Sequence, residues 1–131
     1  MKYVCLGYFD ETAWEKLSDN ERNEFMDRCL EYDETLKQNG HVAGGEALQS
    51  ARNGATVQMK NGKISVTDGP YIETKEQLGG ILMLEAKNLD EAIRLISNHP
   101  GINAGPFEIR PVEDMSAMIA ESERRRSAKT K

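Results

Sequence analysis

The chain has 131 residues, enough for one domain with a core of its own. At 38% hydrophobic and 30% charged it reads as an ordinary globular protein, and no apolar run approaches the roughly 18 residues of a membrane span. A net charge of -5 argues against a general nucleic-acid binder, because phosphate neutralisation requires clustered basic groups. Such a cluster occurs only at the C-terminus, as Arg124-Arg125-Arg126 with Lys129 and Lys131. The N-terminus lacks the basic start and long apolar stretch of a secretory signal, so a cytoplasmic protein is expected.

Lys2 to Tyr8 is a β-branched and aromatic run, read as the first strand, at an edge or in the centre of a sheet. Asp10 to Leu17 reads as a connection carrying the single tryptophan, Trp14. Ser18-Asp19-Asn20-Glu21 has the form of a capping box. The helix it starts places Phe25, Cys29, Tyr32 and Leu36 on one face, with Met26 and Leu30 beside them, and Asn39-Gly40 ends it. Cys5 and Cys29 both fall at apolar positions and read as buried, reduced thiols. No Cys/His pair has zinc spacing, and neither a metal nor a cofactor is expected.

His41 to Leu48 contains the Gly44-Gly45 pair and suits a short, irregular strand or a bulge. Residues 55–59 and 63–67 alternate apolar and polar around Asn61-Gly62, a strong hairpin signal because both turn positions accept positive φ. Ile81 to Glu85 is apolar at successive positions, as in a strand buried on both faces. Asn88 starts a second helix whose buried stripe is expected to be Leu89, Ala92, Ile93 and Ile96, with His99-Pro100-Gly101 at its end. Phe107 to Pro111 alternates again as the last strand. Residues 113–131 read as a short helix holding Met115, Met118 and Ile119, followed by a disordered basic tail.

The order is strand, helix, strand, hairpin, strand, helix, strand, which predicts an α+β, ferredoxin-like domain over residues 1–112 with one extra hairpin. Two helices cover one face of such a sheet. Ile81 to Leu84 are apolar toward both faces, so the other face also needs cover, and a homodimer packed sheet on sheet supplies it.

Between hairpin and central strand lies Asp68-Gly69-Pro70-Tyr71-Ile72-Glu73-Thr74-Lys75-Glu76, followed by Gly79-Gly80. Asp68, Gly69 and Pro70 are turn chemistry, with Asp68 either capping the turn or serving as a carboxylate tuned for proton transfer. Lys75 suits an anionic ligand, and Glu73 suits a hydroxyl or amide donor. Gly79-Gly80 permits close approach of a ligand or of an opposing sheet. The candidate ligand set is therefore Asp68, Tyr71, Glu73, Lys75, Glu76 and Gly79. His41 is either a cap or a general base opposite Asp68, and His99 a helix-end cap.

The run from Asp68 to Glu76 resembles the signature D-G-P-F-A-E-T-K-E of the DGPF branch of YCII-related proteins, departing from it at Tyr71 and Ile72. The resemblance covers most of the chain, from Lys2-Tyr3 to Glu108-Ile109-Arg110-Pro111-Val112. It implies a dimeric α+β-barrel in a bacterial protein of undefined activity. It also implies association with extracytoplasmic-function sigma factors, near or fused to which such proteins are encoded. The wider group is linked to catalysis by a histidine–aspartate pair with its histidine on the first helix. Asp19 to Asn39 contains no histidine, so that pair does not carry over, and His41 is at best a substitute. The expected functions are a small polar or anionic ligand site in the dimer, or a non-catalytic regulatory role beside a sigma factor. A dimer whose motif serves only the fold is the third.

Overall fold

A computed structural model describes residues 1–129 of the chain. The elements are β1 (Lys2–Phe9), α1 (Glu11–Glu15), α2 (Asp19–Gln38), β2 (Val42–Ala47), β3 (Ala55–Lys60), β4 (Lys63–Asp68), β5 (Gln77–Glu85), α3 (Leu89–Ser97), β6 (Phe107–Pro111) and α4 (Ser116–Lys129). Four strands form an antiparallel sheet in the order β2-β5-β1-β6, and β3 and β4 form a separate two-stranded ribbon. Two βαβ halves, β1-α2-β2 and β5-α3-β6, interleave so that β1 and β5 are central. This is the ferredoxin-like arrangement, with the β3–β4 hairpin inserted between the halves.

Local chemistry sets the boundaries. Ser18 and Glu21 form the reciprocal capping box at the start of α2. Gly40, with φ of 78°, reverses the chain after that helix so that His41 can enter the sheet. Asn61 and Gly62 take φ of 51° and 77°, the positive values a tight hairpin requires. Asn88 caps α3 by accepting from the Glu91 amide.

The core lies between the sheet and α2 and α3. Tyr3, Cys5 and Leu84 point to it from the strands, and Leu36, Ala92, Leu95 and Ile96 meet them from the helices. Burial pushes the Cys5 thiol up to about 11, and the Cys29 thiol is raised for the same reason. The stripe of α3 differs from its expected form. Leu95 is buried, whereas Leu89 and Ile93 are 45% and 46% exposed, because the helix meets the sheet along Ala92, Leu95 and Ile96. Residues 10–17 also hold a short helix, α1, capped by Asp10 and docked through Trp14 between Phe9 and Phe25.

The alternate residues of the central strands, Val4, Leu6, Ile81 and Met83, stand on the opposite sheet face, away from α2 and α3. Helix α4 buries no residue and carries Arg124, Arg125 and Arg126 within its length, while Lys131 lies outside the described residues. No helix among the described residues is long and apolar enough to cross a membrane.

Candidate functional site

A cleft of about 1130 Å³ opens between the segment after β2, the ribbon strand β3, the Gly69–Tyr71 turn and the start of β5. Ser50, Asn53, Thr56, Gln58 and Gln77 are its polar lining residues. Leu48, Pro70, Tyr71 and Leu78 supply its apolar surface. A concave apolar surface with a few convergent polar groups is the usual form of a small-molecule site.

Each wall is held by a specific contact. Glu11 on α1 accepts from the Ser50 hydroxyl at 2.8 Å and from the Ala51 amide at 2.9 Å. The Ala51 and Ser50 bonds hold its carboxyl below the ordinary value. Beside them Arg52 pairs with Glu15 at 2.7 Å, so α1 fixes the single 3-10 turn Ala51–Asn53 at the cleft. The Thr56 hydroxyl donates to the Gly69 carbonyl at 2.9 Å, and the Gly69 amide donates to Gly54 at 2.8 Å. Gly69 has φ of 90°, which explains glycine after Asp68. The loop from Tyr71 to Glu76 closes on Gln77, whose side-chain amide donates to the carbonyls of Ile72 and Thr74 at 3.1 Å each.

The residues singled out from the sequence separate into groups. Tyr71 lines the cleft and is 73% exposed. Asp68, Glu73, Lys75 and Glu76 are exposed, and among the described residues no ion pair joins them; Asp68 and Glu76 adjoin the lining residues Gly69 and Gln77 in the chain. Gly79 sits at a β-bulge, the extra residue between the Gly7–Gly80 and Tyr8–Leu78 pairs of β1 and β5. The Phe9 ring occupies the space a side chain there would need, its nearest atoms 2.4 Å from an added Cβ. The close approach made by this glycine is to the chain's own aromatic ring.

His41 is not opposite Asp68. It stands at the far end of β5, where its Nδ1 donates to the Glu85 carbonyl at 2.8 Å. The nine residues of β5 separate that end from the cleft by about 27 Å.

A histidine–aspartate pair nonetheless exists. His99 is 7% exposed and donates from Nε2 to Asp33 Oδ1 of α2 at 2.7 Å, while its Nδ1 accepts from the Gly101 amide at 2.9 Å. Tyr32 and Phe107 pack on its ring. Both ring nitrogens are thus occupied, and the pair clasps the turn after α3 to α2. No motif marks Asp33 in the sequence, although Cys29, Asp33 and Leu36 share the spacing of one helix face. A carboxylate on a buried stripe signals a buried partner. Among the described residues no group of three or more His, Cys, Asp or Glu could hold a metal ion.

The sequence profile of the YCII-related domain matches residues 1–116. An uncharacterised protein of Rhizobium meliloti (strain 1021) is 30% identical over 114 residues, spanning 86% of this chain and 92% of that protein. Among solved structures, a 5-chloro-2-hydroxyhydroquinone dehydrochlorinase of Burkholderia phenoliruptrix AC1100, in complex with 2,5-dihydroxybenzoquinone, superposes with a TM-score of 0.54. It is 17% identical and covers 86% of this chain and 94% of its own, a likeness of fold.

Proposed function

The chain belongs to the YCII-related domain family, and from that premise we propose a homodimeric domain that binds a small polar ligand in the cleft beside Tyr71. The observation that carries this proposal is the lining itself, polar residues interleaved with Leu48, Pro70, Tyr71 and Leu78. Such a surface suits a small ring with hydroxyl or carbonyl substituents: the ring packs on Tyr71 and the polar side chains of the lining meet the oxygens. The dihydroxybenzoquinone held by the structural neighbour is a molecule of this type. Asp68, Glu73, Lys75 and Glu76 act from the rim through solvent, where charges are screened and pairs contribute about 0–1 kcal/mol. The run from Asp68 to Glu76 supports the DGPF branch as the finer placement.

The dimer follows from Val4, Leu6, Ile81 and Met83. They form an apolar centre on a sheet face that α2 and α3 do not cover, and a second sheet packed on it removes that surface from water. Light scattering tests it, and a species of 14.7 kDa at micromolar concentration refutes it.

Binding is tested by thermal shift and calorimetry with 2,5-dihydroxybenzoquinone and related hydroxylated rings. Wild type is expected to bind and Tyr71→Ala to bind roughly tenfold more weakly, an aromatic contact of about 1.4 kcal/mol. Asp68→Asn and Lys75→Met should change affinity less than about threefold, as expected of exposed charges. Equal affinity in wild type and Tyr71→Ala, or no binding across the panel, overturns the site.

A regulatory domain contacting an extracytoplasmic-function sigma factor is the second reading. Ile72, an apolar side chain 60% exposed on the signature loop, favours a protein contact. Recovery of a sigma factor by the wild type and its loss with Ile72→Ser would support it.

A further inference from the structure

The β3–β4 ribbon is inside out. Val57, Met59, Ile64 and Val66 pair across the two strands on one face, where they are 62% to 66% exposed. The opposite face carries Thr56, Gln58 and Ser65, all half-buried. A two-stranded ribbon is marginal by itself in water, and an apolar row turned outward on it loses burial that the fold could otherwise use. A second exposed apolar stripe of comparable size lies on α4. Met115, Met118 and Ile119, at the start of α4, are 45%, 57% and 50% exposed and lie on one side of the helix.

We propose that the outer face of the β3–β4 ribbon is the docking surface for helix α4 of a second copy of this chain. The proposal rests on the dimer argued above. Dimensions and charge both fit. A six-residue strand is about 20 Å long, and the fourteen residues of α4 span about 21 Å. Met115 to Ile119 rises about 6 Å along the helix, close to the roughly 7 Å between Val57 and Met59 along β3.

Charge then sets the direction. Asp68 stands on the apolar face at the base of the ribbon, paired with Ala55, and Glu73 and Glu76 follow on the adjoining loop. Arg124, Arg125, Arg126 and Lys129 occupy the C-terminal half of α4. At the other end the ribbon tip carries Lys60 and Lys63, and α4 is preceded by Glu113 and Asp114. The Ser116 hydroxyl and amide hold the Asp114 carboxyl below its ordinary value, which keeps that end negative. With α4 running from tip to base, opposite charges meet at both ends while the apolar stripes meet between them.

A two-fold axis makes the exchange reciprocal, each ribbon receiving the partner's helix. Val57 and Met59 also border the cleft, so the docked helix closes one side of it and each ligand site is completed by the other subunit.

Cysteine pairing tests the geometry. The native Cys5 and Cys29 are buried, so added surface cysteines report without interference. Met118→Cys protein is mixed with Val57→Cys, Met59→Cys, Ile64→Cys or Val66→Cys protein, allowed to exchange subunits, and oxidised. A disulfide needs Cα atoms within about 7 Å, so a cross-linked species of one chain of each kind, at twice the 14.7 kDa chain mass, is expected from at least one combination. Val57→Asp with Ile64→Asp should weaken dimerisation at least tenfold, and the dimer should loosen with added salt.

No heterologous cross-link from any of the four positions in a protein that scatters as a dimer overturns the proposal. So does a disulfide that closes within one chain carrying both cysteines. Leu6→Glu separates the two ideas. If it dissociates the dimer, while the cysteine variants with Leu6 intact scatter as dimers and give no cross-link, the sheet contact stands and the helix exchange fails. If it leaves the dimer intact while cross-links form, the exchange stands and the sheet contact fails. A monomer in every condition overturns both.

Discussion

Replacing Gly79 by alanine places a methyl group 2.4 Å from Cδ1 and Cε1 of Phe9. Carbon atoms in contact ordinarily sit about 3.5–4.0 Å apart, so the ring must retreat by more than about 1 Å. The retreat is resisted, because Phe9 packs edge-on against Trp14 at 6.4 Å, and Trp14 packs on Phe25 at 5.7 Å. Gly79 does not have positive φ, so the alanine brings no backbone strain and the cost is steric. Overpacking of this kind costs about 1–3 kcal/mol, offset by about 0.4–1 kcal/mol from the stiffer unfolded chain. The net loss, about 1–2 kcal/mol, corresponds to roughly 3–10 °C in Tm for a domain of this size. Thermal melts and urea unfolding of the wild type, Gly79→Ala, Phe9→Ala and the double variant measure it. In the Phe9→Ala background the alanine at 79 should be harmless or mildly stabilising, giving a coupling energy of about 1–2 kcal/mol. A Gly79→Ala protein that melts within about 1 °C of wild type refutes the reasoning, as does strict additivity in the double variant.

Asp33→Ala removes the partner of a buried N–H on His99 and should cost about 1–3 kcal/mol in urea unfolding. An unchanged midpoint would mean that the clasp is not a stabilising contact. Glu11 makes stability depend on pH, because its carboxyl is held below the unfolded value of 4.5 by the Ala51 amide and Ser50 hydroxyl. A depressed carboxylate contributes stability above 4.5 that is lost as pH falls through the lower folded value. The melting temperature of Glu11→Gln should therefore lie below wild type near neutral pH and converge with it under acid; parallel curves would contradict this.

The residue patterns carried the architecture a long way. The capping box of α2, the glycine after Asn39 and the Asn61-Gly62 turn act within a few residues of chain, and each appears where the spacing predicts it. Strand order followed from the alternation of strands and helices, because interleaved βαβ halves bury both helices on one sheet face. The short helix α1 reads as a connection in the sequence because one turn and a half has almost no periodicity, and its position depends on Trp14 finding Phe9 and Phe25.

Tyr71, on the signature run, lines the cleft, yet most of that surface comes from residues after β2 and on β3 that carry no functional mark in the sequence. Sequence by itself determined the elements other than α1, their order and the family, since these depend on local backbone preference and on which residues avoid water. Tertiary structure alone decided that Gly79 makes room for Phe9, that His41 and Asp68 belong to different regions, and that His99 meets Asp33. Those pairings join residues as much as 70 positions apart in the chain. Their distances are set by strand register and helix packing, which no short stretch of sequence encodes.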